Sequence, residues 1–285
     1  MLEILPNIFI ENSYSGTTLG VINNPHGLIL IDAPIKADDS RTWKSSLLNL
    51  GGGVDRLLVN LDAHPDRTLG IRAMESTVVG HEKMAQVFKN RPTATKAQTI
   101  DTGSEWEQIA NLGANRWIPP EISFTETMKI NWGESSILLE YHPGPNSSAI
   151  WVHLPAEKAL FIGDLVVCKQ PPFLSNALFD EWINQLRLLT SDAFQGYFII
   201  GGRNGLIHQD DIHRQMKYLV DVKNRVEVIK RHSNQAEQIE KTIPTLMQSF
   251  PVAAPLKYRY EQRLRWGLTH LVSRNPRTSV IDGDE

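Results

Sequence analysis

A short segment rich in metal-ligand side chains, residues 62–67 with the sequence DAHPDR, constrains this chain more than any other feature. It follows directly on the apolar run 56–60, which is typical of a strand. Asp62 and His64 point the same way in an extended segment, because side chains alternate along it. Asp66 comes after a proline, where the chain turns. Such a concentration of ligands indicates a metal site at the end of a strand, although a solvated surface loop is the alternative interpretation of the segment alone.

Three other polar positions also come just after predicted strands, where α/β proteins usually hold their sites. His142 ends an apolar strand and precedes a Pro-Gly turn. Asp164 follows the apolar run 159–162, where an unpaired carboxylate would be costly to bury. Asn204 lies in a glycine-rich turn after the last predicted strand. We therefore expect these side chains to gather near residues 62–67.

The coarse organisation is an α/β alternation that occurs twice and is followed by helices. The patterns predict ten strands, over 8–11, 17–22, 28–31, 56–60, 76–80, 128–131, 136–141, 149–153, 159–162 and 196–200. Helical spacing is found over 39–50, 82–89, 176–189, 208–231, 235–249 and 256–273. We expect a domain over 1–207 and a C-terminal helical extension over 208–285, packed on the domain or at a dimer interface.

Residues 91–125 have little periodicity and contain three prolines and two tryptophans. Long unpatterned segments inside a domain are usually functional or mobile. We expect residues 91–125 to form either a lid or substrate wall, or a poorly patterned helix packed on the sheet.

The order of these motifs resembles that of the metallo-β-lactamase superfamily, over roughly residues 1–208. The family's first motif is His-x-His-x-Asp-His, followed by two residues and a glycine. The corresponding positions here are Asp62, His64, Asp66, Arg67 and Gly70. The other matches are an early strand-end aspartate, a histidine before Pro-Gly, a Gly-Asp strand and a closing glycine turn, at Asp32, His142, Asp164 and Asn204. The resemblance implies a four-layer αββα sandwich with its site along one edge.

The resemblance also implies two metal positions. The first would be formed by Asp62, His64 and His142, and the second by Asp66, Asp164 and Asn204, with Arg67 intruding. Arginine has no lone pair to give and cannot be a ligand. Three carboxylates and one guanidinium leave two negative charges, which match one divalent cation. We therefore predict one metal ion, zinc first with iron or manganese as alternatives, held by Asp62, His64, Asp66, His142 and Asp164.

The function predicted on this basis is that of a metal-dependent hydrolase acting on a small molecule through a metal-activated water. Asp66 would orient that water or act as general base, and Arg67 or Asn204 would bind a substrate oxygen. Thioester, lactone, phosphodiester and β-lactam substrates all remain open. One alternative is a non-haem-iron oxidoreductase, because Asp62 makes the site richer in carboxylates. The other is a non-catalytic binding protein that kept the fold.

Composition limits the classes of partner and the cellular compartment that we expect for this chain. The net charge of −3 gives no electrostatic reason to expect nucleic acid. The N-terminus has neither a basic region nor a long apolar run, so we expect no signal peptide and no membrane span. Cys168 is the one cysteine of the chain, which excludes an intrachain disulfide and fits a cytoplasmic protein. A homodimer through the C-terminal helices is one expected assembly.

Overall fold

Two β-sheets pack face to face through the apolar side chains that alternate along their strands. The computed structural model describes residues 1–91, 101–109, 112 and 117–274. Within them the first sheet has seven strands, in the order β1 (Leu2–Leu5), β2 (Ile8–Glu11), β3 (Leu19–Asn23), β4 (Gly27–Ile31), β5 (Asp55–Val59), β6 (Thr77–His81) and β7 (Ile122–Phe124). Strands β1 to β4 pair antiparallel, and β4 to β7 pair parallel.

The second sheet of the described chain has six strands. Its order is β13 (Gly205–Ile207), β12 (Phe198–Gly201), β11 (Ala159–Phe161), β10 (Ile150–Leu154), β9 (Ile137–Tyr141) and β8 (Thr127–Ile130). Only β11 and β12 pair parallel among them.

Helices cover the outer face of each sheet. The described helices are α1 (Ala37–Ser46), α2 (Pro65–Thr68), α3 (Ile71–Met74), α4 (Glu82–Asn90), α5 (Phe179–Leu189), α6 (Gln209–Ile229), α7 (Gln235–Met247) and α8 (Ala254–Ser273). Trp43 of α1 and Met74 of α3 pack on the first sheet, whereas Trp182 of α5 and Leu219 of α6 pack on the second. This arrangement confirms the predicted αββα sandwich.

The C-terminal helices share one hydrophobic core with the second sheet. Leu160 of β11, Leu219 of α6 and Leu264 of α8 belong to the same buried cluster. Residues 208–274 therefore pack on the sandwich, and residues 275–285 lie outside the described part. No helix in the described ranges is both long enough and apolar enough to cross a membrane.

The ends of five strands meet along one edge of the sandwich. The backbone nitrogen of Ile150 donates to the carbonyl oxygen of Leu61 at 2.9 Å, which joins the two sheets there. Strands β4, β5, β9, β11 and β12 all deliver their following residues to this edge or close to it. The fold thus places residues 32, 60–67, 164 and 203 around one region.

Candidate functional site

Residues 62–67 leave β5 and turn at once into the single-turn helix α2. The imidazole of His64 caps this helix, since its Nδ1 accepts a hydrogen bond from the backbone nitrogen of Asp66 at 3.1 Å. Asp62 accepts from the backbone nitrogen of His64 at 2.8 Å. The proline at the first helical position suits this start, because it lacks an N–H that would have no helical partner. The residues of this segment therefore set the start of α2. The start of the helix in turn sets the direction of the Arg67 side chain, one residue after Asp66.

The side chain of Arg67 is fully buried among three carboxylates. Its Nη1 donates to Asp32 at 2.8 Å, its Nε lies 2.9 Å from Asp62, and its Nη2 lies 2.5 Å from Asp164. The exposed fraction of the Arg67 side chain is 0%. Each side of the guanidinium fork thus faces a negative charge, which is the condition under which an arginine can be buried.

Asp32, directly after β4, is held in place by its backbone conformation and its neighbours. Its φ is 58°, in the left-handed region that aspartate tolerates better than most residues. Its Oδ1 accepts from the backbone nitrogen of Leu61 at 3.0 Å and from Nδ2 of Asn60 at 3.3 Å. The other oxygen is left to face Arg67, so Asp32 positions that guanidinium.

A second buried guanidinium, that of Arg203, lies on the other side of Asp164. Its Nε donates to Asp164 at 2.8 Å, and its Nη1 donates to Asp66 at 2.9 Å and to Glu105 at 3.2 Å. Its Nη2 lies 3.3 Å from Nδ1 of His64. Arg203 therefore joins four segments of the chain at one point.

The C-terminal helix α8 supplies a third arginine. Arg263 donates from Nη2 to Glu105 at 2.9 Å and from Nε and Nη2 to the carbonyl oxygen of Gly103. Its Cζ lies 3.9 Å from the ring centroid of Phe173, and the Cζ of Arg203 lies 4.7 Å from that centroid. Phe173 is thus in cation–π contact with both guanidinium groups.

The charges in this cluster set its protonation states. Burial alone would raise the pKa of Asp164, but Arg203 and Arg67 outweigh burial and hold that pKa well below its usual value. Burial, and then the charge of Arg203, lowers the pKa of His64 well below its usual value. His64 is therefore neutral near pH 7, as its acceptor role in the α2 cap requires.

Asp66 and Glu105 form an unequal pair of carboxyl groups. Burial and then the charge of Glu105 raise the pKa of Asp66 to about 8. Although burial opposes it, the attraction of Arg263 and Arg203 lowers the pKa of Glu105 to about 2. Near neutral pH, Glu105 carries the negative charge and Asp66 holds a proton.

This pair predicts that stability falls as the pH rises towards and through the folded-state pKa of Asp66, about 8. The folded chain keeps the Asp66 proton up to about pH 8, whereas the unfolded chain loses it near the ordinary aspartate value of 3.8, so raising the pH favours unfolding. We expect the free energy of unfolding to fall by about 1 kcal/mol between pH 7 and pH 8.5. Urea unfolding at several pH values measures this slope. In the control Asp66→Asn, whatever its absolute stability, the slope over this interval is expected to vanish, and an unchanged slope would contradict the assignment.

Two predicted site residues lie elsewhere. His142 stacks on Trp151 with ring centroids 3.7 Å apart, and its Nδ1 lies 2.8 Å from Oε1 of Gln185 on α5. Its contacts are therefore on the outer face of the second sheet. Asn204 is exposed, and its Oδ1 accepts from the backbone nitrogen of Cys168 at 3.0 Å. The preceding residue, Arg203, enters the site instead, because neighbouring side chains of an extended turn point in different directions.

The predicted metal ligands do not form one set. Asp62 and Asp164 contact Arg67, Asp66 contacts Arg203, and His142 is turned away. Across the described ranges, no three or more His, Cys, Asp or Glu side chains are arranged to hold a metal ion. The residues present do not fit a resident metal, because guanidinium groups fill the space among the carboxylates. The site therefore differs from what the resemblance implied.

A small cavity adjoins this cluster. It is lined by Ala63, His64, Val87, Arg91, Pro145, Asn146, Ser148, Asp164, Phe173, Asn176 and Trp182. Its volume is about 30 Å³, enough for one or two water molecules. The lining combines amide and hydroxyl groups with aromatic walls, which is typical of a site for a small polar group.

The segment predicted as a lid or wall contributes to the site where it is described. Glu105 contacts Arg203, and the backbone nitrogen of Trp106 donates to Asp66 at 3.0 Å. Residues 101–109 include a single 3₁₀ turn, Trp106–Gln108, and no longer helix. Residues 92–100, 110–111 and 113–116 are outside the described residues.

Comparison with known proteins supports the fold. No model of a known protein family matches the chain, and no curated protein matches it in sequence. Solved structures do match. A metallo-β-lactamase from Pontibacter korlensis has 18% identity and a TM-score of 0.60, over 77% of this chain and 98% of that one.

Two further structures agree with the first. A metallo-β-lactamase family protein from Thermus thermophilus has 16% identity and a TM-score of 0.60, over 92% of this chain and 93% of that one. A metallo-β-lactamase from Erythrobacter litoralis has 15% identity and a TM-score of 0.58, over 77% of this chain and 95% of that one. At these identities the similarity shows the fold and leaves the chemistry to the residues of the site.

Proposed function

From the premise that this chain has the metallo-β-lactamase fold, we propose that it is a non-catalytic binding protein that works without a resident metal ion. The observation that carries this proposal is the pairing of Asp62, Asp66 and Asp164 with buried guanidinium groups. Each of these carboxylates contacts a guanidinium through at least one oxygen, and among the described residues the three are not arranged around a common metal position. A guanidinium neither ligates a metal nor gives up its proton in proteins, so it supplies no nucleophile and no general base.

The ligand that the site favours is small and polar. The cavity beside His64 offers Asn146, Ser148 and Asn176 as hydrogen-bonding groups, with Phe173 and Trp182 as walls. Its present size admits groups no larger than one or two waters. A bound molecule would therefore insert a small polar end here and leave its remainder outside.

The second candidate is the metal-dependent hydrolase, which the fold of the neighbouring structures favours. It would need a metal held by Asp62, His64, His142 and Asp164, with Asp66 beside it. For that, Arg67 and Arg203 would have to leave their buried positions and His142 would have to turn from the outer face of the second sheet. If these two arginines left, the buried carboxylate of Asp164 would have no compensating positive charge, which is costly.

Metal analysis distinguishes the two candidates. Protein purified without chelator is expected to contain less than ~0.1 equivalent of zinc, iron or manganese, since no ligand set fits one. Its melting temperature is expected to stay constant within error on adding EDTA, Zn²⁺, Mn²⁺ or Fe²⁺. A stoichiometric metal whose removal lowers the melting temperature, or EDTA-sensitive hydrolysis in a panel of thioesters, lactones, phosphodiesters and β-lactams, would establish the hydrolase instead.

A further inference from the structure

Three polar side chains form a hydrogen-bonded chain on the outer face of the second sheet. Oε2 of Glu140 on β9 lies 3.0 Å from Nδ1 of His153 on β10. Nε2 of His153 lies 3.1 Å from the hydroxyl oxygen of Tyr197, which directly precedes β12. Side chains alternate along β10, and Val152 and Leu154 pack in the core between the sheets, so His153 points outward. We call these three side chains the Tyr197 relay.

The partners of His153 determine which of its ring nitrogens carries the proton. The hydrogen bond with His153 lowers the pKa of Glu140 below its usual value, so Glu140 is ionised near neutral pH and can only accept. The neutral imidazole then carries its proton on Nδ1, and the lone pair of Nε2 accepts from the hydroxyl of Tyr197. Glu140 therefore holds His153 in the orientation of a base toward that hydroxyl.

Aromatic packing keeps the relay in place and leaves one side of it open. The ring centroid of Phe194 lies 5.7 Å from that of His153 and 5.3 Å from that of Tyr197. The His153 side chain is only 14% exposed, whereas Tyr197 is partly exposed at the surface. A Cβ built on the neighbouring Gly196 would meet no described atom within 4 Å. The segment that carries the hydroxyl thus faces open space, from which a small reagent can approach.

A hydroxyl, a base within hydrogen-bond reach of it and a carboxylate that orients the base are the combination that activates a nucleophile in proteins. We propose that Tyr197 is a covalent modification site that accepts an acyl group from an activated ester. The relay supplies the base for this step. The inference goes beyond the proposed binding function and is independent of it, because none of the three residues lines the cavity beside His64.

The step balances with the groups that are present and the ester itself. The hydroxyl oxygen of Tyr197 attacks the carbonyl carbon of the ester, and a new oxygen–carbon bond forms. The bond from that carbon to the leaving group breaks, and the leaving group departs as an anion with the bonding electron pair. The hydroxyl proton passes to Nε2 of His153, and the imidazolium is stabilised by Glu140.

A second tyrosine of the same chain provides an internal control. Tyr258 on α8 is 62% exposed, and its hydroxyl oxygen accepts from Nε2 of Gln262 at 2.8 Å. Exposure alone predicts that Tyr258 reacts first, whereas activation by a base predicts Tyr197. The probe is p-nitrophenyl acetate near neutral pH, and peptide mass spectrometry over a time course measures acetyl on each tyrosine. Tyr197 is expected to be acetylated at least about 10-fold faster than Tyr258.

Variants of the relay test the role of the base. His153→Phe keeps an aromatic ring against Phe194 and should slow acetylation of Tyr197 about 100-fold. Glu140→Gln no longer selects the Nδ1 proton and should slow it at least about 10-fold. Glu181→Gln, which changes an exposed carboxylate of α5, should leave the rate unchanged.

The outcomes decide the inference apart from the proposed function, which metal analysis tests. Acetylation of Tyr258 as fast as that of Tyr197 in the wild-type chain contradicts the inference, and this comparison needs no variant. An unchanged rate at Tyr197 in folded His153→Phe also overturns it, because the hydroxyl would then react without the base. If His153→Phe is unfolded by circular dichroism, the rate in Glu140→Gln, which preserves side-chain shape, decides in its place.

Discussion

Replacing Arg67 with methionine is expected to cost about 3 to 5 kcal/mol of unfolding free energy, because it leaves buried carboxylates without their partner. Asp32, Asp62 and Asp164 would then face one another while almost fully buried. Methionine has a comparable length, so the change removes charge and hydrogen bonding more than volume. The free energy of unfolding of a small domain totals only about 5 to 15 kcal/mol, so the variant should be close to unfolding at physiological temperature.

Urea unfolding followed by tryptophan fluorescence measures the loss. The matched control is Arg72→Met, an exposed arginine on the next helix, which should change stability by less than about 0.5 kcal/mol. Adding Asp32→Asn to Arg67→Met should recover part of the loss, because one uncompensated charge disappears while Oδ1 can still accept from Leu61. A loss in Arg67→Met no larger than that of Arg72→Met would show that the ion pairs contribute nothing.

Most of the sandwich follows from patterns along the chain. Strands such as β4 and β10 are runs of buried apolar residues, and α5 and α6 have regular helical spacing, so their residues predict them. Strands β1, β7 and β13 were not predicted. The last two have only three residues and the first is largely exposed, so none has a period long enough to detect. Pairing with neighbouring strands determines them: β1 and β13 pair with the adjacent strands β2 and β12, and β7 pairs with β6, which is distant in sequence.

The candidate site was predicted in part. The strand ends bring Asp62, His64, Asp66 and Asp164 into one region, since the topology of an α/β sheet fixes where they meet. The count of charged side chains made from the sequence was incomplete. It included three carboxylates and Arg67, and the excess of two negative charges predicted a metal ion. The structure adds the carboxylates of Asp32 and Glu105 and the guanidinium groups of Arg203 and Arg263, and the proton that Asp66 holds removes one of the remaining negative charges.

Those additions come from places where sequence patterns are weak. Glu105 lies in an unpatterned segment, and the direction of Arg203 depends on a glycine-rich turn. Arg263 did leave a signal. It stands on the buried face of α8 with Tyr260, Leu264 and Gly267, at three- and four-residue spacing. An arginine on the apolar face of a helix requires a buried partner, which points to a carboxylate in the sandwich.

Replacing this arginine is expected to have the second large effect on stability. Arg263→Met is expected to lower the free energy of unfolding by about 3 kcal/mol, since it removes a partner of buried Glu105 and leaves backbone carbonyls unsatisfied. In the wild type, Arg263 Nη1 donates to the carbonyl oxygen of Pro171 at 3.0 Å and to Gln170 at 2.8 Å, and its other nitrogens donate to Gly103 and Glu105. One side chain of α8 thus fastens two segments, residues 103–105 and 170–171, beside the candidate site.

Hydrogen exchange distinguishes this fastening from general destabilisation. In Arg263→Met, amide protection should fall most in residues 101–109 and at the amides of Gln170 and Phe173, while strands such as β4 lose protection only as far as global stability falls. Arg265→Met is the matched control, because Arg265 forms a partly exposed ion pair with Glu240 on α7. Exposed pairs contribute about 1 kcal/mol or less, so this variant should keep native exchange in both segments. Equal effects of the two substitutions would show that α8 only covers the sandwich, whereas the expected difference makes the C-terminal extension part of the site.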